Sequence, residues 1–161
     1  MIKDIVKPVI TLDSIDRRIL AELQANGAIS HADLARTVGS STASCWRRIK
    51  VLEAAGILTG TVRLVNAEKV GRGVNVICNI RVRDHSRDTR SAFEEFIRSR
   101  PEVMECFSMS GDWDYLLRVV AGGVSEYERF LMHILLDHPS VGGASSHFAL
   151  SLTKYSTAVP V

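Results

Sequence analysis

The chain has 161 residues, enough for one domain or two small ones. Hydrophobic residues make up 46% of it and charged residues 24%, as in a globular protein, and no run of about eighteen apolar residues could span a membrane. The net charge is only +2, but residues 1–65 hold nine Lys and Arg against six Asp and Glu, whereas the remainder holds eleven against twelve. This uneven distribution agrees with an N-terminal part that meets an anionic partner.

The cysteines indicate a reducing environment. Cys45, Cys78 and Cys106 are scattered and include no Cys-x-x-Cys pair, which argues against a disulfide framework. The N-terminus lacks the apolar core and cleavage site of a signal peptide, so we expect a cytoplasmic protein. His133 and His138 fall on different faces of a helix, and no other spacing suits a metal, so we expect neither a metal site nor a cofactor.

The first predicted helix follows an N-terminal arm of residues 1–11. Asp13 or Ser14 caps this helix, and it continues to about Gln24, where Asn26-Gly27 interrupts it. Its apolar stripe is formed by Ile15, Ile19, Leu20 and Leu23. We expect it to support the two helices that follow as the first member of a three-helix unit.

Residues 30–56 predict two helices joined by a tight turn. Ser30 caps the first helix and Gly39 ends it, because glycine accepts the left-handed backbone of a helix end. Ser41 caps the second helix and Gly56 ends it. The buried stripe of the second helix is Cys45, Ile49 and Leu52, spaced at i, i+4 and i+7. This pattern is typical of a helix-turn-helix with residues 41–55 as the recognition helix.

The outward face of the recognition helix is short, polar and basic. Arg47, Arg48 and Lys50 can meet phosphates or guanine edges, and the small Ala43 and Ser44 allow close approach to a groove. No acidic residue precedes Glu53 in this helix. The pattern alone leaves two interpretations open, namely DNA binding and a solvated face of an ordinary helical hairpin.

A change of pattern after residue 60 predicts a domain boundary. Thr61–Val65 is apolar and β-branched, which predicts a strand that serves as a wing or a linker. Asn66–Gly73 is polar and contains two glycines, which is typical of a hinge. We therefore assign residues 1–60 to a helix-turn-helix domain, 61–73 to a linker strand and hinge, and 74–161 to a second domain.

The second domain reads as strand, helix, strand, strand, helix, strand. The predicted elements are Val74–Val82, Asp88–Ser99, Val103–Met109, Tyr115–Val120, Tyr127–Leu135 and Ala144–Leu152. This βαββαβ order is ferredoxin-like, with an antiparallel sheet and both helices on one face, so the whole chain is α+β with an N-terminal winged helix-turn-helix domain. Helices on one side leave the other sheet face uncovered, which favours self-association through that face.

Three segments carry a resemblance to a known family: LDSIDRRIL in the first helix, RRIKVLEAAGIL at the recognition helix and its exit, and SGDWDYLLRV in the second domain. Together they resemble the Lrp/AsnC, or feast/famine, transcriptional regulators over nearly the whole chain. The resemblance implies binding to double-stranded DNA, homodimers that assemble to octamers, and no enzymatic activity. It also implies that an amino acid or a related small metabolite binds between dimers near Gly111–Asp114.

The resemblance extends to individual site residues. Positions that face DNA in the family, together with Lys50 from the helix pattern, give the expected DNA-binding set Ser41, Thr42, Ser44, Trp46, Arg47, Arg48 and Lys50. The expected effector-binding set is Gly111, Asp112, Trp113, Asp114, Ser145, Ser146 and His147. Trp46 and the absence of proline near Thr42 depart from the family pattern and bear on the target sequence, whereas His147 bears on the choice of ligand.

Other functions remain open at this stage. Asp112 and Asp114 could merely shape the turn by accepting backbone hydrogen bonds. The chain could also be a sensing or assembly module whose helix-turn-helix no longer binds DNA, or an enzyme on a ferredoxin-like scaffold. The basic recognition face favours a DNA-binding regulator, and the lack of an acid, base and nucleophile constellation argues against an enzyme, so we expect no catalytic residues.

Overall fold

A computed structural model describes residues 11–161, and residue contacts divide the chain into two compact units. The first unit comprises the chain as far as Leu64 together with Lys154–Val161, and the second comprises Val65–Thr153. The predicted N-terminal arm lies outside the described residues apart from Thr11. No helix in the described part of the chain combines the length and apolarity that crossing a membrane requires.

The first unit contains the three expected helices, α1 (Ser14–Ala25), α2 (His31–Val38) and α3 (Thr42–Ala54). Their apolar stripes meet in one small core, as the helical spacing predicted. Its fully or nearly fully buried members are Ile19, Leu20, Leu34, Ala35, Val38, Cys45, Ile49 and Leu52. The core is confined to the three helices and the partly buried residues that flank them.

Side-chain caps set the start of each helix in the first unit. Asp13 accepts hydrogen bonds from the backbone of Ile15 and Asp16, and Asp16 accepts one from the backbone of Asp13, which completes a capping box. Ser30 and Ser41 cap α2 and α3 in the expected way. The tight turn between α2 and α3 depends on glycine at position 39, where φ is 68°.

The strand expected at Thr61–Val65 does not form. These residues have no strand partner, and the side chains of Val62, Leu64 and Val65 are 79%, 63% and 70% exposed. A β-branched sequence is stabilised as a strand only when it pairs and packs against a neighbour. The helix-turn-helix therefore carries no wing strand within the part of the chain that the structure describes.

The end of the chain contacts the first unit, although we expected residues 74–161 to form one domain. Gln24, on α1, uses its side-chain amide like a peptide group: Nε2 donates to the carbonyl of Val159 at 3.1 Å, and Oε1 accepts from its amide at 2.6 Å. These two hydrogen bonds hold the last residues against α1. The C-terminal segment has no hydrophobic periodicity from which this contact could be predicted. The contact depends on a single side chain, Gln24, that is 135 positions away in the chain.

The second unit has the expected βαββαβ order. Its elements are β1 (Val74–Val82), α4 (Arg87–Arg98), β2 (Val103–Ser108), β3 (Tyr115–Ala121), α5 (Val124–Phe130) and β4 (Val141–Phe148). The strands form one antiparallel sheet in the order β2-β3-β1-β4. The ferredoxin-like prediction is confirmed.

Alternation along the central strands gives the sheet two different faces. On one face, Val76, Cys78 and Ile80 of β1 and Leu117 and Val119 of β3 are buried completely. Residues of both helices complete this core: Phe93, Ile97, Tyr127, Phe130 and Leu135. The helices thus cover one face, and we call the opposite one the open face.

The last strand and the last helix differ most from their predicted bounds, and the helix begins at Val124 instead of Tyr127. The last strand was expected at Ala144–Leu152 but begins at Val141. Val141 pairs with Val82 of β1 across a bulge at Arg81/Val82, although two glycines follow Val141. The strand ends at Phe148 because β1 begins at Val74 and offers little backbone beyond that point. After α5, the helix continues as a π-helical turn, Leu131–Leu135, which keeps Leu135 buried.

Candidate DNA-binding and effector sites

Most of the expected DNA-binding residues lie on the surface of α3. Thr42, Trp46 and Arg47 are exposed, with Trp46 51% accessible, and Ser44 is partly buried. Among the described residues, no hydrogen bond or ion pair involves the side chain of Arg47. An exposed guanidinium beside an exposed indole can approach a phosphate or a base edge.

Two members of the set have local partners on α3 itself. The hydroxyl of Ser41 accepts the amide of Ser44 at 3.2 Å, so this residue caps α3 as well as standing at the edge of its outward face. Lys50 contacts Glu53 at 2.7 Å, but its side chain stays 55% exposed. An exposed pair of this kind is weak, so a phosphate can compete for the lysine.

Arg48 is placed differently from the rest of the expected set. Its Nη1 donates to Oδ2 of Asp13 and to Oδ1 of Asp16, both at 2.7 Å, and the side chain is only 25% exposed. The bridge joins α3 to the first turn of α1. It lowers the pKa of Asp13, after the larger effect of the amide of Asp16, and it raises the pKa of Arg48 itself. The guanidinium expected at the DNA surface is therefore engaged within the helical unit.

The sequence carried a signal for this bridge. Asp13 and Asp16 belong to the capping box of α1, and Arg48 follows an exposed residue and precedes the buried Ile49 on α3. Two carboxylates at one helix start can attract a cation, and Arg48 lies beside the buried stripe of α3. The basic character of α3 and the resemblance to the family had instead predicted that both Arg47 and Arg48 contact DNA.

In the second unit, Gly111–Asp114 forms a turn that is tied to the end of β1. The amide of Asp114 donates to the carbonyl of Ile80 at 2.9 Å, and its Oδ2 accepts the buried amide of Val82 at 2.8 Å. His85 Nε2 lies 2.8 Å from Oδ1 and donates to it, because a carboxylate can only accept. Both oxygens of Asp114 are thus in use, and its side chain is 20% exposed.

The rest of this turn is more open. Arg81 donates to the carbonyl of Asp112 at 3.1 Å, and its guanidinium lies 4.9 Å from the ring centroid of Trp113. The carboxylate of Asp112 is exposed and takes part in no hydrogen bond among the described residues. Gly111 has a φ of 115°, which favours glycine. Sequence reasoning did not include Arg81 or His85, because both lie on β1 or the loop after it, far from the turn in the chain.

The three expected effector residues of β4 do not share one face. Ser145 pairs with Asn79 and His147 with Ile77, which places both on the open face, where the Ser145 hydroxyl is 3.3 Å from the imidazole. Ser146 lies on the helix side instead, 2.6 Å from the hydroxyl of Tyr127. The alternation of a strand separates these neighbours, so Ser146 cannot join Ser145 and His147 in a site on the open face.

The described residues include no group of three or more His, Cys, Asp or Glu side chains arranged to hold a metal ion. A helix-turn-helix with an exposed basic recognition helix, together with a ferredoxin-like domain, is the architecture of a two-domain DNA-binding regulator. The AsnC-type helix-turn-helix domain matches residues 12–53, and the Lrp/AsnC ligand binding domain matches residues 75–159. The chain belongs to the Lrp/AsnC family of transcriptional regulators.

Similar proteins agree with this assignment. The DNA-binding transcriptional activator DecR of Escherichia coli is 36% identical over 150 residues, 93% of this chain and 99% of that protein. The AsnC family regulator of Agrobacterium tumefaciens has a TM-score of 0.88 at 40% identity, over 92% of this chain and 97% of the other. The regulator NMB0573 of Neisseria meningitidis, in complex with L-Met, has a TM-score of 0.90 at 35% identity, and the match covers 93% of this chain and 97% of the other. These relatives are transcriptional regulators, and the chain is not an enzyme.

The bridge between α1 and α3 generates a first prediction. Arg48→Ala leaves Asp13 and Asp16 without their cation, so we expect the melting temperature of the protein to fall by several degrees in calorimetry. Arg47→Ala is the matched control, because it removes the neighbouring arginine, which has no partner in the described structure, and we expect no change in melting. Arg48→Lys should recover only part of the loss, since an ammonium restores the positive charge but not the size and planar shape of the guanidinium. Equal melting of the two alanine variants would contradict the bridge.

Proposed function

We propose that the protein binds its operators through Thr42, Ser44, Trp46, Arg47 and Lys50 of α3 and that an amino acid bound at the Gly111–Asp114 turn regulates it. The observation that carries the first part is the exposed face of α3, with Arg47 free of partners among the described residues. No acidic residue lies on this helix before Glu53, so no carboxylate on its first eleven residues repels a phosphate backbone. The capped N-terminus of α3 adds the positive end of a helix dipole.

Within this surface, the two arginines have different roles in our proposal. Arg47 contacts DNA directly, and Trp46 beside it offers an apolar ring for a thymine methyl group or a sugar. Arg48 acts indirectly: its ion pairs with α1 fix the rotation of α3 about its own axis, and that rotation decides where Arg47 points. The proposal therefore keeps Arg48 in the site as a positioning residue.

The effector part of the proposal combines the turn with what is known of a relative. NMB0573 was crystallised with L-Met, and the ligand-binding domain of the family covers the turn in this chain. The exposed carboxylate of Asp112 suits an ammonium group, the backbone at Gly111 suits a carboxylate, and the ring of Trp113 can form a wall. An α-amino acid carries both charged groups at a fixed separation.

Ser145 and His147 support this site from the open face, whereas Asp114 and Ser146 do not contact the ligand in our proposal. Asp114 instead holds the turn in position through Val82 and His85, at the distances given above. Ser146 is part of the hydrogen-bonded core beneath α5. The contacting set thus becomes Gly111, Asp112, Trp113, Ser145 and His147.

We also propose that the open face mediates dimerisation, on which higher assembly to an octamer would build. Ile77, Leu116, Val120 and the 52% exposed Phe107 lie on this face. Between them, Arg118 pairs with Glu105 at 3.1 Å, so the charges are already matched within one protomer. An apolar surface with internally paired charges fits a second copy of itself.

DNA binding is tested first. We expect Arg47→Ala to weaken binding of the protein to its own promoter by about 1–3 kcal/mol if the guanidinium reads a base. Loss of a phosphate contact would instead weaken binding to all sequences alike and lower the salt slope. Arg98→Ala, on α4 of the second unit, is the control. Unchanged affinity of the Arg47 variant for every DNA fragment in a mobility-shift titration would remove Arg47 from the interface.

The effector site is tested with the two aspartates of the turn. Calorimetric titration of L-methionine, the ligand named for NMB0573, should show affinity at least about tenfold weaker for Asp112→Ala, without a change in melting temperature. Asp114→Ala should lose about 1–3 kcal/mol of stability, because the buried amide of Val82 is left without an acceptor. Normal binding by the Asp112 variant would exclude this carboxylate. If L-methionine gives no heat, the other amino acids are screened by thermal shift.

Dimerisation through the open face is tested by charge insertion. A partner packed on that face cannot accommodate a buried, unpaired cation, so we expect Leu116→Arg to sediment as a smaller species than the wild type. Val124→Arg, at an exposed position that begins α5, is the control and should sediment like the wild type. Sedimentation velocity at micromolar concentration gives both results. An unchanged assembly of the Leu116 variant would place the interface elsewhere.

A further inference from the structure

The second unit contains a cavity that the turn and the open face do not use. It has a volume of about 170 Å³ and lies on the helix side, between the end of β3 and α5. Val119, Phe130 and Ile134 give it apolar walls, and Glu102 and Arg129 contribute charged groups. The cavity is built from one protomer, unlike a site between dimers.

One side chain that lines this cavity, Glu102, has a polar atom without a partner. Oε2 of Glu102 is buried and accepts no hydrogen bond from any residue that the structure describes. Its backbone is fixed, because the carbonyl of Glu102 accepts the amide of Val120 at 2.9 Å. A buried carboxylate oxygen without a donor is costly, so this position favours a bound cation or other donor.

The other two charged groups that line the cavity, Glu126 and Arg129, differ in whether they already have partners. Glu126 is already satisfied: it accepts the amide of Gly122 at 2.9 Å and the guanidinium of Arg72. These two contacts, and more weakly the charge of Arg129, lower the pKa of Glu126. Arg129 itself forms no ion pair within residues 11–161. Among the charged groups that line the cavity, the carboxylate of Glu102 and the exposed guanidinium of Arg129 therefore remain for interactions with a ligand.

We propose that this cavity is a second binding site for an α-amino acid with an apolar side chain, within each protomer. Glu102 receives the ammonium group, Arg129 receives the carboxylate, and the side chain lies against Val119, Phe130 and Ile134. The inference rests on the proposed function in that both sites take the same class of ligand. A cation alone would leave Arg129 unused, and an anion alone would leave Glu102 unpaired, so the zwitterion fits both groups best.

The test follows two sites separately in the full-length protein. L-Methionine is titrated into protein with labelled Val and Ile methyl groups, and methyl signals of Val119 and Ile134 report the cavity while the indole signal of Trp113 reports the turn. We expect both sets to shift in the wild type. Glu102→Gln, which keeps the shape of the side chain, should weaken the response of Val119 and Ile134 by at least about tenfold. Glu128→Gln, an exposed position near the cavity, is the matched control and should respond like the wild type.

A second measurement keeps the test independent of the variant's folding. The analogue of methionine that lacks the α-amino group should fail to shift Val119 and Ile134 in the wild-type protein. The inference is overturned if these methyl groups do not move at saturating L-methionine, or move equally in the Glu102 variant. A shift of Trp113 alone would refute the cavity site and leave the proposed effector function intact, whereas no shift at either place would count against both.

Discussion

The alternation of side chains along β1 is the constraint on which most of the second unit depends. This strand pairs with β3 on one side and β4 on the other, so its register determines which face every neighbouring residue occupies. Val76, Cys78 and Ile80 face the helices, and Asn75, Ile77 and Asn79 therefore lie on the open face. The same parity separates Ser146 from Ser145 and His147. The presence of Ser145 and His147 on the open face and the position of Ser146 beneath the helices both follow from the register of this one strand.

In the first unit, the equivalent constraint is the bridge from Arg48 to the capping box of α1. The apolar stripe of α3 fixes only which side of the helix is buried. Two ion pairs to carboxylates on α1 add a polar reference point, because both carboxylates contact the same nitrogen, Nη1 of Arg48, and a rotation of α3 would lengthen these contacts. Because the exposed Arg47 is adjacent to Arg48 on α3, its orientation depends on the same rotation of the helix. In the DNA-binding mode that we propose, recognition by α3 thus depends on a contact within the protein.

Periodicity and cap residues predicted the helices and the sheet well, because both are local properties of the sequence. Ser30, Gly39 and Ser41 fix helix ends within a few residues of themselves, and the alternation in β1 is visible without a partner. Contacts between distant segments were not predictable in this way. The strand expected at Thr61–Val65 needed a neighbouring strand that the fold does not supply. The hydrogen bonds between Gln24 and Val159 involve a C-terminal segment whose sequence has no hydrophobic periodicity. The sequence does not distinguish the roles of Arg47 and Arg48, because the difference depends on the position of α1 beside α3.

The expected effector residues show the same division at the level of single atoms. Asp112 and Asp114 are alike in sequence, and both stand in a glycine turn, but only the position of β1 distinguishes them. The carboxylate of Asp114 accepts a hydrogen bond from the buried amide of Val82. Breaking this bond to contact a ligand would leave the amide without an acceptor and would cost stability. Asp112 is exposed, and its carboxylate takes part in no hydrogen bond among the described residues. The turn therefore contains two kinds of aspartate: Asp114 is bonded within the fold, whereas Asp112 is exposed, and this difference is why we propose Asp112 alone as the ligand contact.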